Sequence, residues 1–155
     1  MGHPSTMQGS LVFPDPAGND VYYLFTLDAG ENRYRNGLRY SKIDMKLNAG
    51  LGDVIQGQKN IFVKVTKSER MDAVYHTNGR DVWIMPAVNN GNGNYALEAF
   101  LVTANGVSTT PIASPALQNL GFLGFMKFSH DGRWLSEGGL NGRLFAFDAS
   151  TGQAI

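Results

Sequence analysis

Apolar and polar residues alternate with a period of two along most of the chain, the mark of half-buried strands. Alternation predicts strands at "SLVFP" (10–14), "VYYLFTLDA" (21–29), "GLRYSKIDMKL" (37–47) and "NIFVKV" (60–65). "MDAVYHT" and "DVWIMPA" (71–77 and 81–87) read as a hairpin closed by Asn78-Gly79, a strong short hairpin signal. "YALEAFLVTANGV" (95–107) follows the loose loop "NNGNGN" (89–94). "TTPIAS" (109–114) carries a proline, which suits an edge strand. "GFMKFSH" and "RWLSEGG" (124–130 and 133–139) form a second hairpin around Asp131-Gly132, and "GRLFAFDAS" (142–150) is the last clear strand.

These strands fall into repeating groups. In each, a small apolar strand meets a second across a tight turn, and a third runs into a glycine-containing polar loop: "LNAGLGDV", "TANGVSTTP" and "DASTGQAI". A weak outer strand completes the first two groups, and the third group is expected to lack it. Four antiparallel strands repeated every ~50–60 residues point to β-propeller blades. The expected fold is all-β, a partial propeller of about three blades, at 10–66, 70–114 and 121–155, after a tail at 1–9. An eleven-stranded sandwich is the competing arrangement. Trp83, Phe100, Trp134 and Phe145 are expected to fill the layers between blades. His76 and His130 are paired in this reading as equivalent residues of the two hairpins. A closed propeller needs at least about four blades, so an arc of three is expected to expose two apolar faces. Association with the rest of a larger propeller, or of two copies into a six-bladed ring, would cover them.

Composition narrows the function. The chain has 155 residues, and thirteen basic residues balance thirteen acidic ones. That neutrality disfavours nucleic-acid binding, which needs a basic face. Charged residues are 17% of the chain, below the roughly 25% typical of soluble domains. The absence of cysteine removes disulfides, thiolate metal sites and a cysteine nucleophile. No apolar run reaches the ~18 residues that a membrane helix requires, and the first residues lack the charged and apolar regions of a signal peptide.

The candidate chemistry is sparse. His76 and His130 are possible ligand-contact residues, although a ring that hydrogen-bonds its own turn explains each as well. Arg80 and Arg133 could hold an anion at one mouth, or pair with acidic neighbours in the turns. Arg33, Tyr34 and Arg35 stand in the long loop "LDAGENRYRNG" (27–37), suited to contacting a sugar or a protein. "DPAGND" (15–20) reads as a turn, since it lacks the alternating oxygen ligands of a calcium loop. "SHDGRW" (129–134) has the wrong spacing for the aspartate box of sialidase blades. Asp28, Asp44, Glu69, Asp72 and Glu98 are the carboxylates available for a glycosidase pair, and nothing in the spacing joins any two of them. No catalytic residue, cofactor or metal site is expected.

"LRYSKIDMKLNAGLGDV" (38–54) and "HTNGRD" (76–81), with the flanking strands from Gln8 onward, resemble the propeller repeats of large surface or secreted proteins from gliding Gram-negative bacteria. Such proteins often end in a type nine secretion sorting domain. "FSHDGRWL" and "LFAFDASTG" are also similar to generic tryptophan-aspartate-like blades, in which proline often replaces His130. The resemblance implies a secreted or cell-surface scaffold that binds protein or polysaccharide through its loops, and no catalytic residues. The alternatives are a propeller enzyme acting on polysaccharide or lactone at the axis, and a fragment whose property is assembly into a closed ring.

Overall fold

The computed structural model describes residues 2–89, 95–114, 124–139 and 142–155. Most of the "NNGNGN" loop (90–94) and the expected start of the third blade (121–123) lie outside them. The first sheet holds β1 (Ser10–Pro14), β2 (Val21–Leu27), β3 (Leu38–Asp44), β4 (Asp53–Val54) and β5 (Ile61–Lys64). The second holds β6 (Met71–Tyr75), β7 (Val82–Asn89), β8 (Tyr95–Thr103), β9 (Gly106–Val107) and β10 (Ile112–Ala113). The third holds β11 (Phe125–Phe128), β12 (Trp134–Gly138), β13 (Arg143–Asp148) and β14 (Gln153–Ala154). All pairings are antiparallel.

The outer strand of a sheet is made in two pieces. A tight return pairs with the end of the third strand (β4 on β3, β9 on β8), and a later segment pairs with its start (β5 on β3, β10 on β8). β14 is the same return on β13. The third sheet therefore does have a fourth strand, contrary to the sequence expectation. Gly152, at φ +81°, turns the chain back directly after Asp148.

The first turn is repeated three times, once in each sheet. Gly18, Gly79 and Gly132 donate their N–H to the carbonyls of Asp15, His76 and Ser129, at 2.7, 2.9 and 2.9 Å. All three glycines have φ between +69° and +79°, which a side chain would strain. This geometry corrects the histidine pairing: His76 is equivalent to Ser129, and His130 is one residue further along. In the first copy Asn19 and Asp20, both at positive φ, lengthen the loop.

β1, β6 and β11 lie side by side, with β6 between the other two. The second sheet is thereby covered on both faces. Alternation along β7 divides its side chains: Val82 and Ile84 meet Phe13, Tyr23, Phe25 and Leu27 of the first sheet. Trp83, Met85 and Ala87 meet Met126, Phe128, Leu135 and Phe145 of the third. The first seam is largely aromatic, with Phe13 and Phe25 ring centroids 5.6 Å apart and Tyr23 and Tyr40 5.3 Å apart.

The remaining face of the third sheet is open. Phe125, Trp134 and Leu144 share it, and Trp134 is 45% and Leu144 64% exposed. Trp134 thus departs from the expectation that it lies between layers, whereas Trp83, Phe100 and Phe145 are buried there. The reason is register: Trp134 lies on the face that no described sheet covers.

Candidate functional site at the inner edge and strand ends

The inner edge is built by β1, β6 and β11. A cleft of about 160 Å³ runs along it, lined by Leu11, Val12, Phe13, Ala73, Val74 and Tyr75, with Asp72 and Lys127 beside them. Asp72 is buried, and its carboxylate accepts the Phe128 N–H at 2.7 Å. Lys127 Nζ stands 3.4 Å from the same carboxylate. The two charged groups therefore tie β6 to β11, and the rest of the cleft offers apolar contact.

At the starts of the inner strands, loop 28–37 and the residues preceding β6 enclose a charged cluster. Arg70 is fully buried and pairs with Glu137 across the second seam. Its guanidinium lies 5.7 Å from the centroid of the Tyr95 ring. Burial pulls the Arg70 pKa below its ordinary value, and the Glu137 carboxylate opposes that pull. Glu69 accepts the Gly30 N–H at 2.9 Å and the Met7 N–H at 3.2 Å. Burial, then the neighbouring Glu69 charge, raises the Tyr34 hydroxyl above its usual value.

The segment before β1 takes part as well, rather than standing off as a tail. The Gln8 side-chain amide donates to the Met126 carbonyl at 2.9 Å, and its carbonyl accepts the Met126 N–H at 2.8 Å. The Gln8 backbone N–H donates to Glu69 O at 3.1 Å. One residue leading into the first sheet thus holds the other two.

The residues singled out in the sequence divide between opposite ends. Arg33 and Arg35 are exposed and Tyr34 half-buried in the loop at the β6 start, with Arg33 and Tyr34 both at φ 55°. His76, Arg80, His130 and Arg133 stand at the far end of the inner strands, a five-residue β6 or roughly 16 Å away at ~3.3 Å per residue. His76 is half-buried, its ring centroid 5.9 Å from that of Trp83, and its Nδ1 accepts the Asn78 N–H at 3.0 Å. His130 is exposed. Arg80 Nε lies 3.1 Å from Asp81, and Arg133 Nε 2.6 Å from Asp131. The Ser129 hydroxyl, the Arg133 amide and the Arg133 side chain hold Asp131 far below the usual carboxylate range. Each arginine is thus committed to a carboxylate of its own turn, and the seven residues do not converge.

The possible acid pair disperses in the same way. Burial pushes Asp28 up, but hydrogen bonds from Asn36, Ala29 and Asn32 outweigh it and lower its pKa. Glu98 meets Lys64 at 3.0 Å, and Asp44 accepts the Lys46 N–H at 2.8 Å. Asp15, in the turn weighed for calcium, pairs with Lys42 at 2.5 Å. Among the described residues no three His, Asp or Glu side chains come together as metal ligands, and no helix is long and apolar enough to cross a membrane.

Sequence reading missed Gln8 and the Arg70–Glu137 pair among the groups that join the sheets, and for Trp83 it gave the buried place but not the hydrogen bond. Trp83 Nε1 donates to Ala149 O at 2.9 Å, and its ring lies so close over Gly152 that a Cβ there would stand 2.8 Å from it. A charged residue flanked by strand signals, as in "SERMDA" (68–73), was the one available hint for Arg70. No protein-family model matches the sequence, and no curated protein matches it significantly.

Proposed function

We propose that the chain is a non-catalytic binding or scaffold module made of propeller blades. It displays its end loops to a protein or polysaccharide partner, at the cell surface or after secretion. The observation that carries this reading is the inner edge. Where a propeller enzyme would gather its reacting groups, Leu11, Val12, Phe13, Ala73 and Val74 line the cleft. Its carboxylate, Asp72, is spent on the Phe128 amide and Lys127. Sheets that hold Arg33 and Arg35 exposed in one end loop suit contact with acidic sugars or acidic protein segments.

A panel of acidic and neutral polysaccharides, assayed for both binding and cleavage, tests the reading. Binding without turnover, weakened by Arg33→Ala with Arg35→Ala and little changed by Arg80→Ala with Arg133→Ala, is the expected result. Turnover of a polysaccharide or lactone that disappears in Asp72→Asn would overturn it in favour of an enzyme.

A further inference from the structure

The first and third sheets each leave one apolar face uncovered, and the two faces are of opposite kinds. In both filled seams, the face of one sheet that looks toward the next in sequence packs on the rear face of that next sheet. Phe125, Trp134 and Leu144 lie on the forward face of the third sheet. Val12, 55% exposed, and Phe62, 51% exposed, lie with Leu24 on the rear face of the first. We infer that these two faces meet between two copies of this chain, forward face on rear face, in a closed ring of six sheets. The inference goes beyond the binding role proposed above and does not depend on it.

The inner strands give the specific reason. Ser129 donates its N–H to Trp134 O within its own hairpin, so the N–H of the preceding residue, Phe128, points to the free edge. Asp72 accepts it across the second seam. Counted from the turn, Phe125 stands in the third sheet where Asp72 stands in the second, so this face offers no acceptor. In the first sheet the position of Phe128 is held by Pro14, which has no N–H to offer. Donor and acceptor are therefore missing together in the unfilled seam, so closing it leaves neither an N–H nor a carboxylate at these two positions buried and unpaired. The first seam already runs without this bond, with Leu11 in the acceptor position.

The charges on both faces have partners as well: Lys127, on the forward face of the third sheet beside Phe125, reaches the Asp72 carboxylate at 3.4 Å. Arg39, on the rear face of the first sheet, donates to the carbonyls of Asn36 and Asn60 at 2.9 Å each and lies over the Phe62 ring. Asp148, at the rim of the forward face of the third, accepts from the Ser150 N–H and hydroxyl. Size fits a stable dimer. At ~4.8 Å between strands and ~3.3 Å per residue, a face of four five-residue strands covers about 19 by 17 Å. Two seams bury four such faces, on the order of 1,300 Å², within the range of specific interfaces.

Native mass spectrometry with sedimentation velocity at micromolar concentration tests this on the wild-type chain and two variants. The expected species has twice the monomer mass of 16.9 kDa. Leu144→Glu and Val12→Glu, on opposite faces and both at exposed positions, should each raise the dimer Kd by on the order of 100-fold, with circular dichroism unchanged. Loss of the dimer in Val12→Glu alone supports the forward-on-rear arrangement, because pairing of two third sheets would ignore that change. A wild-type monomer would overturn the inference and assign the faces to a different occupant. So would a dimer indifferent to both variants, or a ladder of open oligomers, which a non-closing contact produces.

Discussion

Leu144 and Phe145 are neighbours on β13 with opposite surroundings. Phe145 faces the second sheet and is buried, whereas Leu144 faces away and is 64% exposed. The two tryptophans repeat the contrast. Trp83 lies on the forward face of the second sheet, under the third, and is 5% exposed, while Trp134 lies on the forward face of the third and is 45% exposed. Strand type, alternation and aromatic content are alike on the covered and the open face. A sheet of this kind therefore buries its apolar side chains only on the faces that a neighbour covers, and its open face leaves them exposed.

The covered side should dominate stability. Arg70→Met leaves Glu137 buried without its partner, an expected cost of about 3–5 kcal/mol and a fall in Tm on the order of 10 °C. Adding Glu137→Met should restore most of that loss, and a double variant no better than the single would break the pairing account. Phe145→Ala removes a ring from the second seam and should cost about 3 kcal/mol in urea unfolding. Trp83→Phe keeps the ring but loses the bond to Ala149, for about 1 kcal/mol. Leu144→Ala, one residue from Phe145, should change monomer stability by less than about 0.5 kcal/mol. A Leu144→Ala cost equal to that of Phe145→Ala would erase the difference between the faces.

Much of this fold is legible in the residues themselves. Period-two alternation places the long strands, because each side chain must choose a face, and the glycines at 79 and 132 mark turns that need positive φ. Alternation says which residues share a face, but coverage of that face depends on another sheet. Trp134 was therefore expected inside and is found outside. The returns β4, β9 and β14 are two residues long, too short for a periodic signal. The histidines, matched by residue type, are paired one position out of register, because His76 is equivalent to Ser129. The candidate site was less legible still. Arg70 and Glu137 are 67 residues apart, and Gln8 and Met126 are 118 apart. No local pattern announces contacts made only when the sheets stack.

The contrast between the faces is open to direct test because the chain has only two tryptophans. Acrylamide quenching of Trp134→Phe reports Trp83 alone, and Trp83→Phe reports Trp134 alone. At nanomolar concentration Trp134 should be quenched several-fold more readily than Trp83, and at high micromolar concentration its protection should rise toward that of Trp83. Equal quenching of the two at the lowest concentration would contradict the account.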